Sequence, residues 1–205
     1  VPLKGLKLGD VNFEYASTRV ETNRRVHCLS LAGCVDFEVG RVSANAFKNK
    51  GIRLTFCRDG LINGGWFTDP TELSGGMGYG IQATNSCYLE FYNLGGRKLR
   101  HLIDFSQSHH IKVYNSKATD CFNRAFDCHG ITEHDIEFID CDGDYIFSNG
   151  VAEFASVVEN ITIVRGVVRG MSIGSVKNLH LKEVDVKHLF FYADVLNNFK
   201  AENCQ

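Results

Sequence analysis

His110-Ile111-Lys112-Val113, Asp135-Ile136-Glu137-Phe138, Asn160-Ile161-Thr162-Ile163, Asn178-Leu179-His180-Leu181 and Asn198-Phe199-Lys200-Ala201 carry one pattern. A polar residue precedes an apolar anchor, and apolar and polar residues then alternate with period two. Such alternation marks β-strands with one buried side. Val35-Asp36-Phe37-Glu38-Val39, Ile52-Arg53-Leu54-Thr55-Phe56 and Tyr88-Leu89-Glu90-Phe91 extend it toward the N-terminus. With Phe13, Phe37, Leu54, Leu89, Ile111, Ile136, Ile161, Leu179 and Phe199 as anchors, the gaps are 24, 17, 35, 22, 25, 25, 18 and 20 residues. Short strands recurring at 17–25 residues suggest a solenoid. Leucine is too irregular for leucine-rich repeats. A β-sandwich is the competing arrangement. A parallel β-helix fits better, because it tolerates coils of unequal length and stacks like residues on successive coils.

The expectation is therefore an all-β chain: a right-handed parallel β-helix of about eight coils, residues 1–205 forming one domain. The 35-residue gap predicts one coil with a Gly-rich insertion loop at about 63–79, holding Trp66, the single tryptophan. The last strand string runs to Gln205 with no amphipathic helix as a cap. The chain thus reads as a fragment of something longer, or as one strand of an intertwined oligomer.

Composition narrows the function. Lys and Arg total 22 against 24 Asp and Glu, a net charge of −2, which argues against a nucleic-acid partner. No apolar run approaches the roughly 18 residues of a membrane span. Val1–Asp10 lacks the order of a signal peptide. The eight cysteines sit beside strand-like apolar residues and read mainly as small buried side chains; disulfides and a metal site remain alternatives.

Aligning Gly80–Thr84, Leu102–Ser106, Ala125–Gly130 and Tyr145–Gly150 predicts an outward column Gln82, Asp104, Asp127, Phe147, and a second column Thr84, Ser106, His129, Asn149. Strands about 4.8 Å apart then make Asp104 and Asp127 neighbours. Two close carboxylates are pushed toward one protonated and one ionised form, as an acid–base pair requires. In that reading Asp104 and Asp127 are the catalytic acid and base. His129 is counted with them and, with Arg124, would hold substrate. Arg100, His101, Gln82 and Asn149 line the site, and Trp66 and Tyr79 stack on sugar rings. The competing reading is a structural ladder neutralised by Arg100 and Arg124. Asp140, Asp142 and Asp144 offer alternating oxygen ligands suited to calcium, though Gly143 is misplaced for an EF-hand. His109-His110 and His134 read as turn-ladder residues. Asn160-Ile161-Thr162 matches a glycosylation sequon but also the coil pattern. Gly76-Met77-Gly78-Tyr79-Gly80 is no phosphate loop.

Strings such as Arg100-His101-Leu102-Ile103-Asp104-Phe105-Ser106, Ala125–Gly130 and Asn160–Ile163 resemble the pectate-lyase-like right-handed parallel β-helix. More narrowly, they resemble the β-helical bodies of bacteriophage tailspikes and tail appendages, over about residues 10–205. That resemblance implies a homotrimer on a virion tail, outside the cell. It implies binding, and often cleavage, of bacterial surface polysaccharide or teichoic acid. A non-catalytic shaft or receptor-binding segment, and a secreted pectate-lyase-like lyase or epimerase, are the alternatives.

Overall fold

A computed structural model describes residues 2–14, 26–128, 132–147, 157–191 and 196–205. Among them the chain is all-β: nineteen strands in one hydrogen-bonded network, with no helix. No described helix is therefore long and apolar enough to cross a membrane. Every strand pairing is parallel.

The pairings fall into three ladders, visited in a fixed order. The first joins Phe37, Gly60, Leu89, Ile111, Ile136, Ile161, Leu179 and Phe199 in register. The second joins Phe13, Ala44, Phe67, Gly96 and Ala118. The third joins Leu31, Leu54, Ala83, Phe105, Cys128, Phe147, Ile173 and Phe191. Seven of the nine expected anchors share the first ladder. Phe13 and Leu54 belong to the other two, which is why the anchor spacing looked irregular.

The 35-residue gap has the same origin. Its first-ladder partner is Gly60, not Leu54. A Cβ there would meet Phe37 Cζ at 2.1 Å, so the Phe37 ring fills the space that an anchor side chain takes elsewhere. Residues 63–68, expected within a 63–79 loop, are strand. The strand Arg58–Thr68 continues to Thr68 and the next begins at Tyr79, so the connection is 69–78. Gly64 and Gly65 mark a corner inside a strand. Gly64 has φ +111°, and a Cβ on Gly65 would meet the Val42 carbonyl oxygen at 2.1 Å. Trp66 therefore lies on the second ladder, between Ser43 and Gly95, half exposed.

The polar residue before each first-ladder anchor also has a physical cause. Asp36, Asp59, Tyr88, His110, Asp135, Asn160, Asn178 and Asn198 all adopt φ between 54° and 61°. This left-handed geometry turns the chain into the ladder, and Asn and Asp tolerate it best. The amides also bond to one another. Asn160 donates to Asp135 (2.7 Å), Asn178 to Asn160 (2.7 Å) and Asn198 to Asn178 (2.8 Å).

The core lies between the ladders. Phe91, Phe105, Phe126, Phe138, Tyr145 and Phe147 are fully buried. Ring centroids of Phe126–Tyr145 and Phe126–Phe138 lie 4.8 and 5.2 Å apart. Burial of each such ring contributes on the order of 1.5–3 kcal/mol. All eight cysteines are free thiols. Burial pushes Cys141 and Cys121 up to about 12.

One register expectation is corrected. Asp127 pairs with Ile146, not Phe147. Tyr145 and Phe147 point inward and Ile146 outward, opposite to the predicted alternation. The inward–outward alternation runs unbroken from Cys141 to Phe147, which fixes this orientation; the bulge in the neighbouring pairing lies at Arg169, on the strand Val158–Ile173.

Candidate functional site

On the third ladder the outward column runs Arg53, Gln82, Asp104, Asp127, Ile146, Ser172. Asp104 and Asp127 are register partners, as the sequence predicts. Both are closed off: Asp104 is 0% exposed and Asp127 2%. Gln82 Nε2 donates to Asp104 Oδ2, and Ser106 Oγ lies 3.5 Å from its Oδ1.

A bulge adds to this column. The amides of Leu102 and Ile103 both donate to the Ala125 carbonyl, at 2.8 and 3.1 Å. With two consecutive side chains turned inward, His101 joins the outward side. Its Nε2 is 3.1 Å from Asp127 Oδ2 and its Nδ1 is 2.8 Å from the Arg124 carbonyl oxygen. A carbonyl only accepts, so Nδ1 carries a proton, and Nε2 and Asp127 share another. His101 is 1% exposed. The Tyr79 ring lies 5.1 Å from it. Burial, and after it the Asp104 charge, push the Tyr79 phenol up to about 12.

The 69–78 connection is fastened beside this column. Lys50 Nζ donates to the Gly76 carbonyl (2.9 Å) and to Asn49 Oδ1 (2.8 Å), 4.9 Å over the Tyr79 ring. Arg100 Nη1 donates to the Leu73 carbonyl at 3.0 Å. Arg124 Nη2 donates to Ser172 Oγ at 3.1 Å. The two arginines thus hold backbone and hydroxyl groups here, while His101 is the basic partner seen on Asp127.

Of the other expected site residues, those described do not gather here. Trp66 is on the second ladder. His129 and Asn149 lie outside the described residues. Asp140, Asp142 and Asp144 do not converge. Asp140 is gripped by Arg165 through two bonds (2.7 and 2.8 Å), which lower its pKa. Asp142 accepts from the Val167 amide and pairs with Lys117 at 3.2 Å. Among the described residues, the cluster with three ligand atoms mutually within 4.8 Å is His109, His110 and His134.

The first ladder carries an open groove of about 660 Å³ whose lining includes Tyr88, Glu90, His110, Lys112, Asp135 and Glu137. Glu38, Leu61, Glu90, Lys112 and Glu137 form one outward column. Tyr92 and Tyr114 stack two positions further along, with ring centroids 4.5 Å apart and planes at 8°. The Tyr92 hydroxyl donates to Glu90 at 2.6 Å. Tyr88 is half exposed. Sequence reasoning missed this groove, because the alternation was used to find inward anchors and the outward positions between them went unread.

No family model, no curated protein and no solved structure matches the chain.

Proposed function

We propose that the three ladders close into a right-handed parallel β-helix that binds a bacterial surface glycan along the first-ladder groove. Right-handedness follows the strong preference of parallel crossovers. The carrying observation is the open groove itself: the half-exposed Tyr88 ring flanks a column of carboxylates and ammonium groups, and the partly exposed Tyr92–Tyr114 stack lies two positions further along. Sugar rings stack on aromatic faces through their C–H surfaces, and their hydroxyls exchange hydrogen bonds with carboxylates. The resemblance supplies the setting: a homotrimeric tailspike or tail-appendage segment on the virion, with polysaccharide or teichoic acid as the target.

Binding without cleavage is the reading the geometry supports best, since Asp104 and Asp127 are closed to a polymer. A depolymerase is the second reading, favoured by the proton shared between His101 and Asp127. The test is a panel of purified bacterial capsular polysaccharides and teichoic acids, scored for binding and for chain shortening. Tyr88→Asn retains a residue that tolerates the left-handed corner. It should weaken binding about tenfold or more and leave Tm near the native value. Undiminished binding by that variant overturns the groove. Shortened polymer that disappears with Asp127→Asn supports the depolymerase instead.

A further inference from the structure

Two rungs of the first ladder bring three imidazoles together where the chain turns into the strands His109–Tyr114 and His134–Phe147. His109 and His134 are register partners, and their rings stack at 4.5 Å with planes 7° apart. His110 follows His109 at the left-handed corner, φ 54°, and its Nδ1 lies 2.7 Å from His109 Nδ1. Each of the three offers one nitrogen within 4.8 Å of the others.

We propose that His109, His110 and His134 bind a borderline-soft divalent transition ion, zinc above all. Three neutral imidazoles with room for a water are a familiar donor set for zinc. Tetrahedral zinc with bonds of about 2.0–2.1 Å separates its nitrogens by about 3.3–3.4 Å. The 2.7 Å contact between His109 and His110 is the length of a proton bridge. Replacing that proton by an ion requires the two side chains to part by only about 0.6 Å. His110 is 40% exposed and His134 37% in their side chains, so such a shift is open to them.

A second, independent feature points the same way. Asp135 Oδ2 accepts from His134 Nδ1 at 2.8 Å and lies 3.5 Å from His110 Nε2. A carboxylate that takes the N–H of one ring nitrogen leaves the other nitrogen with its lone pair outward, and it makes that nitrogen a better donor. Asp135 is itself held by Asn160 Nδ2 at 2.7 Å, so this orientation is fixed from outside the cluster. His110 and Asp135 line the groove, which places the site in its wall. The inference does not need the glycan, because the ion alone tests it.

The experiment is a zinc titration of the native chain by calorimetry, with His134→Gln, His110→Asn and, as a control outside the cluster, His180→Gln. His110→Asn retains a residue suited to the left-handed corner. We expect one equivalent of zinc on the native chain and on His180→Gln, and binding weaker by about tenfold or more in both cluster variants. A cobalt(II) form separates this site from the eight thiols: three imidazoles give d–d bands without a thiolate charge-transfer band. Native circular dichroism and Tm establish that the variants fold. Undiminished binding by either folded cluster variant, or a cobalt spectrum dominated by thiolate, overturns the assignment.

Discussion

His101→Phe separates a buried ion-pair network from ordinary packing. Phenylalanine keeps a ring beside Tyr79, 5.1 Å away in the native chain, but removes both ring nitrogens. Asp127, 2% exposed, then loses the partner at 3.1 Å, and the Arg124 carbonyl loses its donor at 2.8 Å. Removing one member of a buried pair costs about 3–5 kcal/mol, because the remaining charge has no solvent to return to. For a chain of this size each kcal/mol moves Tm by about 2–4 °C. The expected fall is therefore about 6–20 °C. Calorimetry measures Tm, and urea titration, read as a lower midpoint at unchanged slope, gives the free energy. The double variant His101→Phe/Asp127→Leu removes the stranded charge and should recover at least half of the loss. A fall under about 1 kcal/mol for His101→Phe, or a double variant that merely adds the two single costs, would refute the buried pairing.

Asn178→Val places a β-branched residue at φ 61° and deletes the amide bonds to Asn160 and Asn198. The left-handed strain of about 1–2 kcal/mol plus two bonds of about 0.5–1.5 each gives an expected loss of about 2–5 kcal/mol in urea titration. Asn178→Gly avoids the strain and should lose only the two bonds, about 1–3 kcal/mol. Arg165 holds the Asp140 carboxyl below the usual carboxylate range. A depressed folded pKa adds stability that is present above the unfolded value, about 3.9, and lost as pH falls through the folded one. Asp140→Asn should therefore lower Tm slightly at neutral pH and make no difference near pH 2; an equal penalty at both would exclude the ion pair.

The ladder principle was legible because period-two alternation and a polar residue before each anchor are local signals. The anchors from Leu89 to Phe199 do stack in register. So do Asp104 and Asp127, because strands of similar spacing, Ile81–Ala83, Ile103–Phe105 and Phe126–Cys128, lie in series. What failed depends on space rather than pattern. Gly60 occupies an anchor position because the Phe37 ring already fills it. Gly64-Gly65 looked like a loop, whereas the glycines serve a corner and a close approach to Val42. Gly95 leaves room for the Trp66 ring, whose atoms a Cβ there would meet at 2.2 Å. The orientation of Tyr145–Phe147 is misassigned when Tyr145–Gly150 is aligned by likeness to earlier coils, whereas the strand simply continues the alternation from Cys141. Burial of Asp104 and Asp127 was equally hidden, since an outward position on a strand says nothing of what lies over it.

The energetic character of the polar groups favours the first ladder as the place of the proposed recognition. Lys112 and Glu137 sit 3.9 Å apart with side chains 46% and 43% exposed. Lys7 and Glu38 are 3.5 Å apart and more exposed still on the lysine side. Such pairs contribute about 0–1 kcal/mol, so exchanging them for ligand hydroxyls costs almost nothing. On the third ladder the exchange is expensive. His101, Asp104 and Asp127 are closed to solvent, and Lys50 and Arg100 fasten the 69–78 connection beside them. A glycan reaching Asp104 would have to open a site that is closed to solvent and rearrange the hydrogen bonds of His101 and Asp127. Weakly paired, exposed charges beside the half-exposed Tyr88 suit the proposed polymer at little cost, whereas the enclosed acids bond within the ladder that carries them.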